Sequence, residues 1–142
     1  MKISSRFTIA VHTLSLITID KNTRCTSDYI ADSVNTNPVI IRKIMGKLKN
    51  AGLINIHRGP GGAELLRPLD QMTLLDIYRA VEVVEEGELF QFHNDPNPNC
   101  VVGANIQDVL ELILFKAQDA MEAILGEVTM EELVTVLNRK IG

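Results

Sequence analysis

NPVIIRKIMGKLKNAG, residues 37–52, is the stretch whose reading decides the fold. Asn37 is an N-cap residue, and Pro38 follows at the first helical position, where its missing N–H costs nothing. Gly52 is the usual C-terminal punctuation. The spacing places Ile41, Ile44, Met45 and Leu48 on one side of a helix, the side that packs inward. Val39, Arg42, Lys43, Gly46 and Asn50 fall on the opposite side, about 160° away. That outward stripe is basic at two sites and bare at Gly46, which suits close approach to a nucleic-acid groove. Solvated lysines on a surface helix are the bland alternative, and the residues that follow decide between them.

LINIHRGPGGAELLR, residues 53–67, reads as a β-hairpin: two β-prone runs flank a turn holding three glycines and a proline. Glycines let backbone approach phosphates closely, and Arg58 and Arg67 stand at the two ends of the turn and its return run. Upstream, Thr26-Ser27-Asp28-Tyr29-Ile30-Ala31-Asp32-Ser33 reads as a first helix capped by Thr26 or Ser27, joined to the reading helix through Val34-Asn35-Thr36. Helix, turn, helix and hairpin in that order predict a winged helix. The expected DNA contacts are Thr26, Ser27, Asn37, Val39, Arg42, Lys43 and Lys47, with Arg58, Gly61 and Gly62 on the wing.

Four blocks carry a resemblance to a known family: Met1-Lys2-Ile3-Ser4, the run from Leu48 to Leu53, the Arg58-Gly59-Pro60-Gly61-Gly62 wing, and the helix from Thr73 to Glu82. Over essentially its full length the chain resembles the Rrf2 family of bacterial transcription regulators, the group of IscR, NsrR and CymR. The resemblance implies a dimeric, operator-binding regulator, often a sensor of iron–sulfur status, nitric oxide, cysteine supply or oxidants. The family's base-reading positions fall on Val39, Arg42 and Lys43. Members with an acidic residue at the Arg42 position differ from this chain, so their operator is not transferable.

The 142 residues suit one compact unit, and 46% apolar residues suffice for a core. No run resembles a signal peptide or membrane span, so a cytoplasmic address is the default expectation. The net charge of −4 hides an asymmetry: residues 1–67 carry ten Lys or Arg against four Asp or Glu, and residues 68–142 carry four against fourteen. A basic first half is the electrostatic footprint of phosphate binding. Nothing points to an enzyme. His12 lies on the opening helix, His57 ends a strand, and the glycine turn lacks the Lys-Ser/Thr ending of a P-loop.

The predicted architecture is mainly α with a small β-hairpin wing: a winged helix-turn-helix plus a long C-terminal dimerisation helix. Its opening helix runs from Ser5 to Ile19, with Phe7, Ala10, Val11, Leu14, Leu16 and Ile17 expected on its buried side. The predicted divisions are residues 1–83 for DNA binding, 84–104 for a sensor or hinge loop, and 105–142 for the dimerisation and last helices. Thr73 with Asp76 and Thr129 with Glu132 are capping boxes, and Asn105 is expected to cap the long helix. On that helix Ile106, Leu110, Ile113, Ala117, Ala120 and Ile124 recur at four, three, four, three, four, an a/d seam expected to pair with a second subunit. Val109, Leu114, Met121 and Leu125 form a second stripe, expected to face the chain's own core. The bland reading buries both stripes against the last helix.

Cluster-holding relatives place three cysteines before the long helix; this chain has Cys100 alone there, with His93 and Asp95 as neighbours. That donor set argues against an iron–sulfur cluster, and no metal or other cofactor is expected. Cys100 and Cys25 remain as redox-sensing candidates, Cys25 because the following helix dipole and Arg24 would lower its pKa. For each, an inert small residue is the alternative. The functional expectation is a sequence-specific homodimeric repressor on an inverted-repeat operator in duplex DNA, responsive to thiol oxidation. A constitutive DNA- or RNA-binding module without a sensor, and an iron–sulfur-dependent regulator, stay open.

Overall fold

The computed structural model describes residues 5–20, 24–57, 62–82 and 96–142. In chain order these form α1 (Ser5–Ile19), α2 (Ser27–Val34), α3 (Pro38–Asn50), β1 (Ile54–Ile56), β2 (Ala63–Leu65), a 3₁₀ turn (Leu69–Gln71), α4 (Leu74–Val81), α5 (Val101–Glu127) and α6 (Met130–Ile141). This is the expected winged helix-turn-helix followed by a long helix.

The core forms where α1, α2, α3 and β1 converge, closed by α4 and α6. Leu14 of α1, Ile30 of α2, Ile41, Ile44 and Leu48 of α3, Ile54 of β1 and Ile77 of α4 are all essentially inaccessible. α1 was expected to bury an apolar side, and Ala10 and Leu14 are buried with Phe7, Val11, Leu16 and Ile17 packed alongside. Thr13 and Ser15, not anticipated there, are buried as well. Their hydroxyls donate to the carbonyls of Ile9 and Val11 at 2.8 Å each, so neither enters the core unsatisfied.

The end of α3 explains why β1 starts where it does. Gly52 adopts φ +78°, and the Leu53 N–H donates 3.0 Å to the Leu48 carbonyl, the long bond of a Schellman cap. The reversal drops Leu53 and Ile54 straight into the core. β1 and β2 then pair antiparallel with Asn55 opposite Glu64, and the His57 N–H donates to the Gly62 carbonyl at 2.8 Å.

Thr73 and Asp76 form a reciprocal capping box at α4, and the Thr129 hydroxyl accepts from the Glu132 N–H at α6. The two capped starts are also joined to each other. Thr73 and Thr129 form an isolated antiparallel bridge, with Leu74 N–H donating to Val128 O at 2.9 Å and Met130 N–H to Met72 O at 2.7 Å.

The long helix corrects one boundary. It begins at Val101, four residues before the expected cap at Asn105, so the division at residue 104 falls inside α5. Asn97 makes the difference: its side chain accepts from Asn99 N–H at 3.0 Å, and its carbonyl accepts from Cys100 N–H at 3.2 Å. A Cβ on Gly103 would lie 2.5 Å from that same Asn97 carbonyl oxygen, so the turn folds directly onto the first helical residues. Asn105 is interior to the helix, and its amide donates back to Val101 O at 2.7 Å.

Candidate nucleic-acid interface

The helix-turn-helix is built by local capping. The Thr26 hydroxyl accepts from Tyr29 N–H at 3.3 Å to start α2, and Asn37 Oδ1 accepts from Val39 N–H at 2.7 Å to start α3. Between them Asn35 takes the left-handed conformation at φ 63°, which turns the chain while Thr36 N–H reaches Ala31 O at 3.0 Å.

With Ile41, Ile44, Met45 and Leu48 buried, α3 presents Val39, Arg42, Lys43, Lys49 and Asn50 outward. A Cβ on Gly46 would meet nothing within 4 Å, so this part of the surface is bare. Ile40, which the sequence reading did not single out, is 41% exposed beside Val39 at 48%. Two exposed branched apolar side chains at the head of a basic helix offer contact to thymine methyl groups, while Arg42 and Lys43 offer donors to guanine edges or phosphates. The available signal was that Ile40 adds nothing to the inward stripe.

A cleft of about 400 Å³ opens between the start of α2, α3 and the wing, with Thr26, Ser27, Arg42, Ile56, His57 and Gly62 among its lining residues. Asp28 also lines it and opposes any anion there. His57 Nε2 lies 3.1 Å from Glu64 Oε1 across the hairpin. Thus Thr26, Ser27, Arg42 and Gly62 meet around one cleft, while Asn37 serves α3 as its cap. Arg58 and Gly61 lie outside the described residues.

Lys47 is corrected. Its ammonium points away from the Arg42 face and donates to the Val81 carbonyl at 3.5 Å, at the C-terminal end of α4. A cation there meets the negative end of a helix dipole, so Lys47 joins α3 to α4. Arg6 does the same from α1, 3.4 Å from the buried Glu82. Arg67 lies 3.5 Å from Asp76, the capping carboxylate of α4.

The thiols differ from each other. Cys25 is buried, and burial raises its pKa, with the nearby Asp20 carboxylate adding in the same direction. The expected lowering by Arg24 and the α2 dipole is therefore overturned: desolvation disfavours the thiolate more than either favours it. Cys100 is exposed and stands at the N-cap of α5 without a side-chain capping bond. Among the described residues no three His, Cys, Asp or Glu side chains converge as metal ligands. His93 and Asp95 lie outside the described residues.

On α5 the stripes divide. Leu114, Met121 and Leu125 are half-buried, and Val109 is exposed. Ile106, Leu110, Ile113, Ala117, Ala120 and Ile124 are all exposed, so this chain's own α6 does not bury the seam. Among the described residues no helix is long and apolar enough to cross a membrane.

Residues 3–136 match the family profile Rrf2, described as an iron-dependent transcriptional regulator. The chain is 43% identical over 136 residues to YwnA of Bacillus subtilis, named as a candidate HTH-type transcriptional regulator, covering 96% of this chain and 97% of that protein. Its fold is similar to that of a candidate transcriptional regulator from Lactobacillus plantarum (TM-score 0.78, 25% identity, 96% and 91% of the two chains). It is also similar in fold to CymR, the global cysteine regulator of B. subtilis (TM-score 0.69, 22% identity, 95% and 97%).

Proposed function

The chain belongs to the Rrf2 family of transcriptional regulators, and from that premise we propose that it is a homodimeric repressor binding an inverted-repeat operator in duplex DNA. The observation that carries this reading is the outward face of α3, which exposes Val39, Arg42 and Lys43 and through Arg42 lines the cleft shared by α2 and the wing. In each protomer α3 enters the major groove, and the hairpin lies along the adjacent backbone. The exposed seam of α5 joins the two protomers, so two reading helices meet successive turns of the duplex, roughly 34 Å apart. Such a protein works beside the chromosome, in the bacterial cytoplasm.

Regulation runs through Cys100 without a bound cluster. The sequence holds two cysteines, and burial together with Asp20 keeps one of them, Cys25, in its thiol form. A cluster takes about four ligands, mostly thiolates, and this donor set does not fit one. Cys100, exposed at the start of α5, is open to a peroxide: the thiolate sulfur attacks one oxygen, the O–O bond breaks, and sulfenic acid forms with release of water. The added polar oxygen at the head of α5 alters how the long helix is held, and with it the spacing of the two reading heads.

A footprint on the DNA upstream of the chain's own gene, with and without peroxide, tests this. The expected result is two protected half-sites, lost on oxidation and retained by Cys100→Ser. Protection of a single half-site, or a monomer at micromolar concentration, overturns the dimeric reading. A serine variant still released by peroxide overturns the thiol switch.

A further inference from the structure

His57 follows β1 into the cleft that Thr26, Ser27 and Arg42 also line, and its Nε2 lies 3.1 Å from a carboxylate oxygen of Glu64. We propose that His57 is a contact to the DNA backbone, and that Glu64 holds in the free protein the position a phosphate oxygen takes in the complex. This rests on the DNA-binding reading above, and adds to it a residue of the wing and an acid that competes with DNA for that residue.

The hairpin places the pair. Asn55 stands opposite Glu64 in the ladder, so His57, two residues further on, is the diagonal neighbour of Glu64 on the same face. The other face turns inward, where Ile54 is fully buried. Both members of the pair are exposed, and an ion pair in water is held weakly, so a phosphate can take the place of the carboxylate at little cost. The remaining donors converge on the same place. Arg42 reaches the cleft from α3, and Thr26 and Ser27 reach it from the head of α2, where the first N–H groups and the positive end of a helix dipole lie. With α3 in the groove and the hairpin along the backbone, the strand between them crosses this cleft. A phosphate seated there meets a guanidinium, an imidazolium and two hydroxyls, which are ordinary partners of a DNA backbone.

Charge decides when the exchange occurs. Imidazole is the side chain whose ordinary charge change falls between about pH 5 and pH 8, so this contact acts as a cation on the acid side of that range. The charged and titratable groups that border His57 are Glu64 on β2, Asp28 and Cys25 at the head of α2, and Arg42 on α3. Arg58, next in the chain, lies outside the described residues. Once protonated, the ring trades Glu64 for a phosphate and displaces one further counterion from the duplex. Affinity therefore rises as pH falls, and its dependence on salt steepens.

The test titrates the full chain with two duplexes, one from the DNA upstream of its own gene and one of unrelated sequence, at about pH 6 and about pH 8. For the wild type, the slope of log affinity against log salt is expected to be steeper by about 0.9 at the lower pH, on both duplexes. His57→Gln is expected to remove that difference. Glu64→Gln is expected to tighten binding about threefold at the lower pH, the worth of one exposed ion pair, and the gain to be lost in a chain already carrying His57→Gln. A gain as large in that background is simple charge repulsion and overturns the exchange. A salt slope that changes with pH in His57→Gln as it does in the wild type overturns His57 as the contact. An effect confined to the upstream duplex makes His57 a base reader and overturns the phosphate assignment. Binding of neither duplex overturns the DNA-binding reading itself.

Discussion

A Cβ added to Gly62 would stand 3.0 Å from the backbone nitrogen of Cys25 and 3.3 Å from its carbonyl carbon and oxygen. The return of the wing and the entry to α2 therefore meet backbone to backbone. Gly62 also holds φ +71°, a region that side-chain-bearing residues adopt at a cost of about 1–2 kcal/mol. Gly62→Ala is expected to lower unfolding stability by roughly that amount and to reduce operator affinity further, because the displaced wing no longer borders the Arg42 cleft. Equal operator binding by variant and wild type in a fluorescence titration would show that wing position is irrelevant.

Arg42 and Lys47 are five residues apart on α3 and are expected to respond differently. Arg42→Ala should cost about 1–3 kcal/mol of operator binding and relax base preference at the contacted position. Lys47→Gln should leave the salt slope of binding unchanged, since its ammonium serves the Val81 carbonyl. Its expected effect is on stability, seen as an earlier denaturant midpoint. A salt slope shallower by about one unit in Lys47→Gln would return this residue to the phosphate contacts.

Thiol chemistry should separate the two cysteines. Iodoacetamide at neutral pH is expected to label Cys100 readily and Cys25 only on unfolding. Because the folded pKa of Cys25 is raised, by burial first and Asp20 second, the thiol keeps its proton in the fold at pH values where the unfolded chain loses it. Its contribution to stability is fully present below the ordinary thiol range, near pH 8.5, and is lost as pH rises through the folded value. Urea midpoints should therefore fall on going from about pH 7 to about pH 9.5, and fall less in Cys25→Ala.

Tyr78 is fully buried on α4, edge-on to Phe7, and among the described residues its hydroxyl has no hydrogen-bond partner. Burial, then Glu122 and Glu82, raises its pKa, which adds to the alkaline loss of stability in the same direction. Removing the orphaned hydroxyl keeps the ring and its packing. Tyr78→Phe is expected to gain about 1 kcal/mol in urea unfolding at neutral pH. A loss of that size would mean that the hydroxyl is satisfied in solution.

What the residues disclosed and what they concealed follow a physical division. Asn37-Pro38, Thr73 with Asp76, and the inward set Ile41, Ile44, Met45 and Leu48 act through neighbours within a turn or two, so their spacing alone was enough. Lys47 looked like any lysine on a basic helix, because its acceptor belongs to another helix and sits 34 residues away. Cys25 looked activated beside Arg24 and a helix start, because the glycine that covers it returns from the far side of the hairpin. The head of α5 was missed because Asn97 starts it through a backbone carbonyl, which no side-chain pattern announces. Ile40 went unremarked because apolar residues are normally read for burial.

The bridge between Thr73 and Thr129 fixes the C-terminal end of α5 to the start of α4, and so to the body that carries α3. The bridge holds this frame through residues 72–74 and 128–130, outside the connection between α4 and α5. Closing a longer loop is inexpensive, about 0.6 kcal/mol for each doubling of length. An insertion before Asn97, whose side chain and carbonyl start α5, is expected to leave the reading helix and the long helix in register with each other. The bridge thus anchors the long helix at its C-terminal end and leaves its head, at Cys100, as the end where a covalent change can act.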